Sequence, residues 1–152
     1  MKIGLIDFDG KIPNLALMKL STYYKSHGAE VFLNEFPKGV DKVYCSVLFT
    51  WNKNKAAKLQ EMYSNIEFGG TGWDPMISLP KEVENCKPDY ELYTYKDIYK
   101  RVRGIMKKET RIKKAETIVN MGIGFTSRGC IRNCEFCFVP KKEGAFKQVG
   151  EI

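Results

Sequence analysis

Lys2-Ile3-Gly4-Leu5-Ile6-Asp7-Phe8 opens the chain and decides how its first half reads. It is a short, nearly continuous apolar run, as expected of a strand covered on both faces of a parallel sheet. Pro13 and Asn14 then start a helix, with Asn14 as the N-cap. Leu17, Met18, Leu20 and Tyr24 recur at helical spacing. His27-Gly28 ends that helix, Gly28 being suited to the left-handed position beyond a helix end. Residues 29–35 predict a second strand, and Val43 to Phe49, almost all apolar, a third. Residues 53–63 suit a helix, and Asn65 to Phe68 a short fourth strand closed by Gly69-Gly70.

This alternation predicts an α/β fold: a doubly wound, Rossmann-like sheet of about four or five parallel strands. Beyond it the pattern changes. Residues 71–90 carry three prolines, Trp73 and Cys86 and read as a long loop. Tyr90 to Tyr95 alternates weakly. Residues 96–114 suit a basic helix interrupted by Gly104, and Thr117 to Thr126 read as a strand that feeds a cysteine-rich loop.

The chain of 152 residues has 43% hydrophobic residues, close to a globular average, and no apolar run near the ~20 residues of a membrane helix. The N-terminus turns acidic at Asp7, too early for a signal peptide, so a cytoplasmic setting is expected. In that setting the five cysteines read as thiols or metal ligands rather than disulfides. The net charge of +7 is local: residues 96–114 hold nine basic side chains and two acidic ones. Lysines and arginines in such a run neutralise phosphates, which brings in RNA as a partner of 96–114, or form a solvated helix face.

Cys45 and Cys86 stand alone, whereas Cys130, Cys134 and Cys137 follow C-x3-C-x2-C in Arg128-Gly-Cys130-Ile-Arg-Asn-Cys134-Glu-Phe-Cys137. Three thiolates this close can wrap one corner of a cubane cluster, leaving the fourth iron open. Zinc is the other reading, but a structural zinc site takes four ligands, and only His27 and two distant cysteines remain to complete it.

The spacing, with Phe136 before the third cysteine and Ser127-Arg128-Gly129 before the first, resembles the radical S-adenosylmethionine superfamily. The resemblance implies a 4Fe–4S cluster on Cys130, Cys134 and Cys137. It implies that the open iron binds the methionine part of S-adenosylmethionine. One electron from a flavodoxin- or ferredoxin-type reductant then cleaves it to methionine and a 5′-deoxyadenosyl radical. In this family the backbone at the place of Phe136 contacts the adenine. The cofactor carries the hard chemistry and the protein orients it.

The first half is similar to the cobalamin-binding-type domain that precedes many radical S-adenosylmethionine barrels. The similar pieces are Asn14-Leu-Ala-Leu-Met-Lys-Leu, His27-Gly-Ala-Glu-Val and Phe68-Gly-Gly-Thr-Gly72. Gly69, Gly70 and Gly72 lie beyond a parallel strand, where open sheets bind ligands. They imply a cobalamin or nucleotide loop, or else a tight turn. The D-x-H-x-x-G motif of histidine-ligated cobalamin proteins is missing, since that place reads Asp7-Phe8-Asp9-Gly10-Lys11. Cobalamin without a histidine ligand stays open. Asp7-Phe-Asp-Gly also resembles the first motif of haloacid-dehalogenase phosphatases, but no later Asp-Asp pair exists to hold magnesium. Methylthiotransferases, a third related group, carry three more cysteines in this half, and only Cys45 lies near such a position.

The expected organisation is a Rossmann-like cobalamin-binding-type domain over 1–95, a basic connector helix over 96–115, and the start of a radical S-adenosylmethionine domain over 116–152. Few residues follow Cys137, against ~30 for one barrel unit. The expectation is therefore an N-terminal part of a longer enzyme, inactive by itself. The alternative is a non-catalytic zinc- or RNA-binding module built on the cysteine loop and the basic helix.

Overall fold

The computed structural model describes residues 1–132 and 134–150. They form two compact units, one of residues 1–121 and one of the described residues from Gly122 on. The first is built on β1 (Lys2–Asp7), α1 (Leu15–Ser26), β2 (Glu30–Leu33), β3 (Lys42–Ser46), α2 (Lys53–Ala57) and β4 (Ile66–Gly69), followed by α3 (Lys81–Glu84), α4 (Tyr95–Tyr99) and α5 (Lys108–Val119). The four strands make one parallel sheet in the order β2-β1-β3-β4. The fold is thus α/β and Rossmann-like, as the apolar runs predict.

Side-chain alternation along the strands divides the core. Ile3 and Leu5 of β1 are fully buried beneath α1, with Leu17, Met18 and Leu20. Each such side chain contributes roughly 1.5–3 kcal/mol relative to exposure. Cys45 and Val47 face the other side and pack with Ala56 of α2 and Leu59. Helix α1 starts as its sequence dictates: the Asn14 side chain accepts from the N–H groups of Ala16 and Leu17 at 3.0 and 3.3 Å. It ends at Gly28, whose φ of 75° only a residue without Cβ adopts freely.

Five expectations change. The loop predicted over 71–90 contains α3. The helix predicted over 53–63 is α2 alone, flanked by 3-10 turns at Thr50–Asn52 and Lys58–Glu61. The weak alternation at 90–95 is no strand: Leu92 and Tyr93 turn into the core, and Thr94 with Asp97 forms a capping box for α4. The basic segment is two helices, broken around Gly104 at φ 115°. The strand predicted over 117–126 begins inside α5. Ile112, Ala115, Ile118 and Val119 share one face of that helix. Ala115 is fully buried, and Ile118 and Val119 pack on the core, so tertiary burial overrides the β-branched run Thr117-Ile118-Val119.

The second unit contains β5 (Ser127–Arg128), α6 (Val139–Glu143) and β6 (Lys147–Gln148), with β5 and β6 antiparallel. Among the described residues, no helix is long and apolar enough to cross a membrane.

Candidate functional site

The cysteine loop leaves and re-enters the ribbon of β5 and β6. Ser127 pairs with Gln148 and Arg128 with Lys147. Cys130 then bridges Ala145, and its N–H donates to Gly144 O at 3.3 Å. Glu143 closes the neck from within: Oε2 accepts from Gly129 N–H at 3.0 Å and Oε1 from the Arg128 guanidinium at 3.1 Å. The Gly129 N–H bond holds the Glu143 carboxyl below the usual carboxylate range, with Arg128 adding and partial burial opposing. Gly129 has φ 77°, and a Cβ on it would stand 2.2 Å from Ala145 O, so no other residue fits.

Within the loop Cys137 N–H donates to Cys134 O at 3.0 Å, which turns the chain between the second and third cysteines. Arg132 N–H points at Cys130 Sγ, 3.4 Å away. All three thiols are free and half-buried, and Phe136 is 94% exposed. A cavity of about 350 Å3 opens beside Cys130, between Arg132 and Pro140. The donor chemistry fits an iron–sulfur cluster, with three free thiols on one tied loop and a backbone N–H directed at a sulfur. The sulfurs are not drawn together: among the described residues no group of three His, Cys, Asp or Glu side chains is placed to hold a metal.

Cys45 and Cys86 belong to the first unit. Burial pushes the Cys45 thiol up to about 12, with Asp9 and Asp7 adding, so it stays a small buried hydrophobe. Cys86 is half-buried and donates to Glu82 O at 3.3 Å.

The carboxyl edge of the sheet, where open α/β folds bind ligands, is filled by the protein's own groups. Asp7 is buried and accepts from Tyr93 Oη at 2.8 Å, from Arg101 at 2.5 Å and from Gly10 N–H at 3.1 Å. Beside it Asn14 donates to Ser46 Oγ at 2.9 Å. Burial, with the Asp7 carboxylate adding, pushes the Tyr93 hydroxyl well above its ordinary value. Asp9 accepts from the N–H groups of Leu48 and Phe49 and from the Asn52 side chain. Both carboxylates of Asp7-Phe8-Asp9 are engaged in hydrogen bonds within the fold.

The glycine loop is equally committed. A Cβ on Gly70 would lie 2.3 Å from Val47 O, and one on Gly72 2.4 Å from Phe49 N. Gly72 N–H also donates to Val47 O at 2.9 Å. These two glycines let the chain after β4 press against the end of β3, which is the tight-turn reading. Gly69 meets only Ile77, at an ordinary 4.0 Å. His27 sits beyond α1, at the opposite end of the sheet, with Nδ1 2.7 Å from Tyr23 O. Asp7, Tyr93, Arg101 and the loop after β4 thus occupy this edge, and His27 is not at it.

In 96–114, Arg101 is held by Asp7 and by Gly10 O, and Arg111 lies over the Tyr99 ring at 4.6 Å. Arg103, Lys107, Lys108, Lys113 and Lys114 are exposed. Sequence reasoning missed Glu143, Tyr93 and Arg101. Their only signal was polar residues inside apolar or glycine-bearing stretches, and their partners lie far along the chain. Comparison with protein-family models, curated proteins and solved structures finds no match to this chain.

Proposed function

We propose that residues 122–150 are the cluster loop of a radical S-adenosylmethionine enzyme, with Cys130, Cys134 and Cys137 each holding one iron of a 4Fe–4S cluster. The observation that carries this is the C-x3-C-x2-C spacing inside a loop tied at its neck. When bound, the cluster supplies the electron that cleaves S-adenosylmethionine to methionine and a 5′-deoxyadenosyl radical, drawing on a flavodoxin- or ferredoxin-type donor in a cytoplasm that keeps thiols reduced.

The chain's own residues have definite tasks. The three thiols bind. Arg132 N–H donates to the Cys130 sulfur, and such bonds tune a cluster's potential. Glu143 and Arg128 hold the neck while the loop draws its sulfurs together. Phe136, outside the packed part of the loop, offers its backbone to the adenine. Zinc is the weaker reading, because a structural zinc site takes four ligands and the loop supplies three cysteines.

Anaerobic reconstitution with iron and sulfide should give about four irons per chain and thiolate-to-iron absorbance. Alanine at Cys130, Cys134 or Cys137 should each abolish that absorbance, and alanine at Cys45 or Cys86 should leave it intact. Stoichiometric zinc without iron–sulfur uptake would overturn the proposal.

A further inference from the structure

The segment after β3, Phe49-Thr-Trp-Asn-Lys-Asn-Lys-Ala-Ala-Lys58, has no part in the cysteine site. Trp51 is 75% exposed. Tryptophan is on average highly buried. Yet this indole is not loose: the half-buried Phe49 ring stacks against one face, centroids 4.8 Å apart and planes 18° from parallel. The platform beneath is fixed as well. The Asp9 carboxylate accepts from Leu48 N–H at 2.8 Å, Phe49 N–H at 3.1 Å and Asn52 Nδ2 at 3.0 Å. One face of the indole is therefore held, and the other is turned to water.

The surroundings are cationic. Lys53 folds over Trp73, with Nζ 5.1 Å from the ring centroid and 2.7 Å from Trp73 O. Trp73 itself stacks on Phe68 at 4.1 Å. Lys55 and Lys58 are exposed, flanking the buried Ala56. Residues 49–58 contain three lysines and no acid, and the Asp9 carboxylate is taken up by the N–H groups of Leu48 and Phe49.

We propose that this loop is a stacking platform for single-stranded nucleic acid. One base lies on the open face of Trp51, and Lys55 and Lys58 neutralise the adjoining phosphates. An aromatic face accepts any base, because every base has a π-face, while lysines follow the backbone. A duplex keeps its bases stacked on one another and offers the indole none. The proposal stands on unit 1–121 alone and does not depend on the cluster.

Fluorescence anisotropy of a labelled uridine dodecamer, titrated with the full chain, tests it. Binding should quench tryptophan emission, and a duplex of equal length should compete poorly. Trp51→Ala should weaken binding about tenfold, while Trp51→Phe keeps most of it. Lys55→Ala with Lys58→Ala should lower the slope of log affinity against log salt by about 1.4, from ~0.7 per phosphate on a single strand. Equal affinity of Trp51→Ala and the native chain would overturn the proposal. So would equal binding of duplex, or loss of binding only when Lys107, Lys108, Lys113 and Lys114 are replaced. No binding, with concentration-dependent self-association in sedimentation, would make the patch a protein contact instead.

Discussion

Glu143 accepts from Gly129 N–H and from Arg128 across 14 and 15 residues of chain, so two bonds close the cysteine loop at its base. Neither bond follows a periodicity, which is why the cysteines were legible from spacing and their fastening was not. The Gly129 N–H and then Arg128 hold this carboxyl below its usual range. A carboxyl depressed in the folded state stabilises fully above its unfolded value. That contribution is lost as pH falls through the depressed value. The Gly129 amide shift, followed by NMR, should therefore stay constant from about pH 7 to about pH 5 and titrate with a midpoint below the ordinary ~4.3. Glu143→Gln should abolish the titration and loosen the neck by about 1 kcal/mol, read from hydrogen exchange at Gly129 and Cys130. A midpoint at or above the ordinary value would show that the bond does not form.

At the scale of elements, the apolar strands and the capped α1 were readable because burial and capping act locally in sequence. The segment 117–126 misleads because Thr117-Ile118-Val119 has β-branched composition, whereas the helical register with Ala115 places Ile118 and Val119 on the core-facing side of α5. The glycine loop was half legible: its position beyond β4 was right, but its close approach is to β3. This separates two glycines of similar backbone. Gly70 has φ 94° and would drive a Cβ into the Val47 carbonyl, whereas Gly28 has φ 75° with open space around it. Gly28→Ala should cost about 1 kcal/mol for the left-handed backbone alone. Gly70→Ala should cost about 3 kcal/mol or more, since the β3–β4 junction must also move. Urea unfolding followed by tryptophan emission checks both, because Trp51 and Trp73 lie in the same unit as the two glycines. Equal losses would show that the close approach to Val47 carries no energy.

At the scale of the whole molecule, the conserving of a ligand crevice and the closing of a core compete for one edge of the sheet, and here closure wins. Asp7 ends β1 with its side chain wholly buried, and it is answered by Tyr93 and by Arg101, from the far end of the unit. Arg101 also reaches Gly10 O at 3.0 Å, which pins the β1–α1 loop across the edge. Leaving a buried charge without its partner costs about 3–5 kcal/mol. Arg101→Ala should therefore lower unfolding stability by about 3 kcal/mol, whereas Tyr93→Phe, which removes one neutral donor from Asp7, should cost about 1–2 kcal/mol. A corrin bound at this edge would have to part Asp7 from Tyr93 and Arg101. Hydroxocobalamin added to the native chain should thus show no shift of its visible bands, and Arg101→Ala should be destabilised without gaining affinity. Micromolar binding by the native chain, with the bands displaced, would mean that the edge opens at little cost and that Asp7, Tyr93 and Arg101 form a gate rather than a clasp.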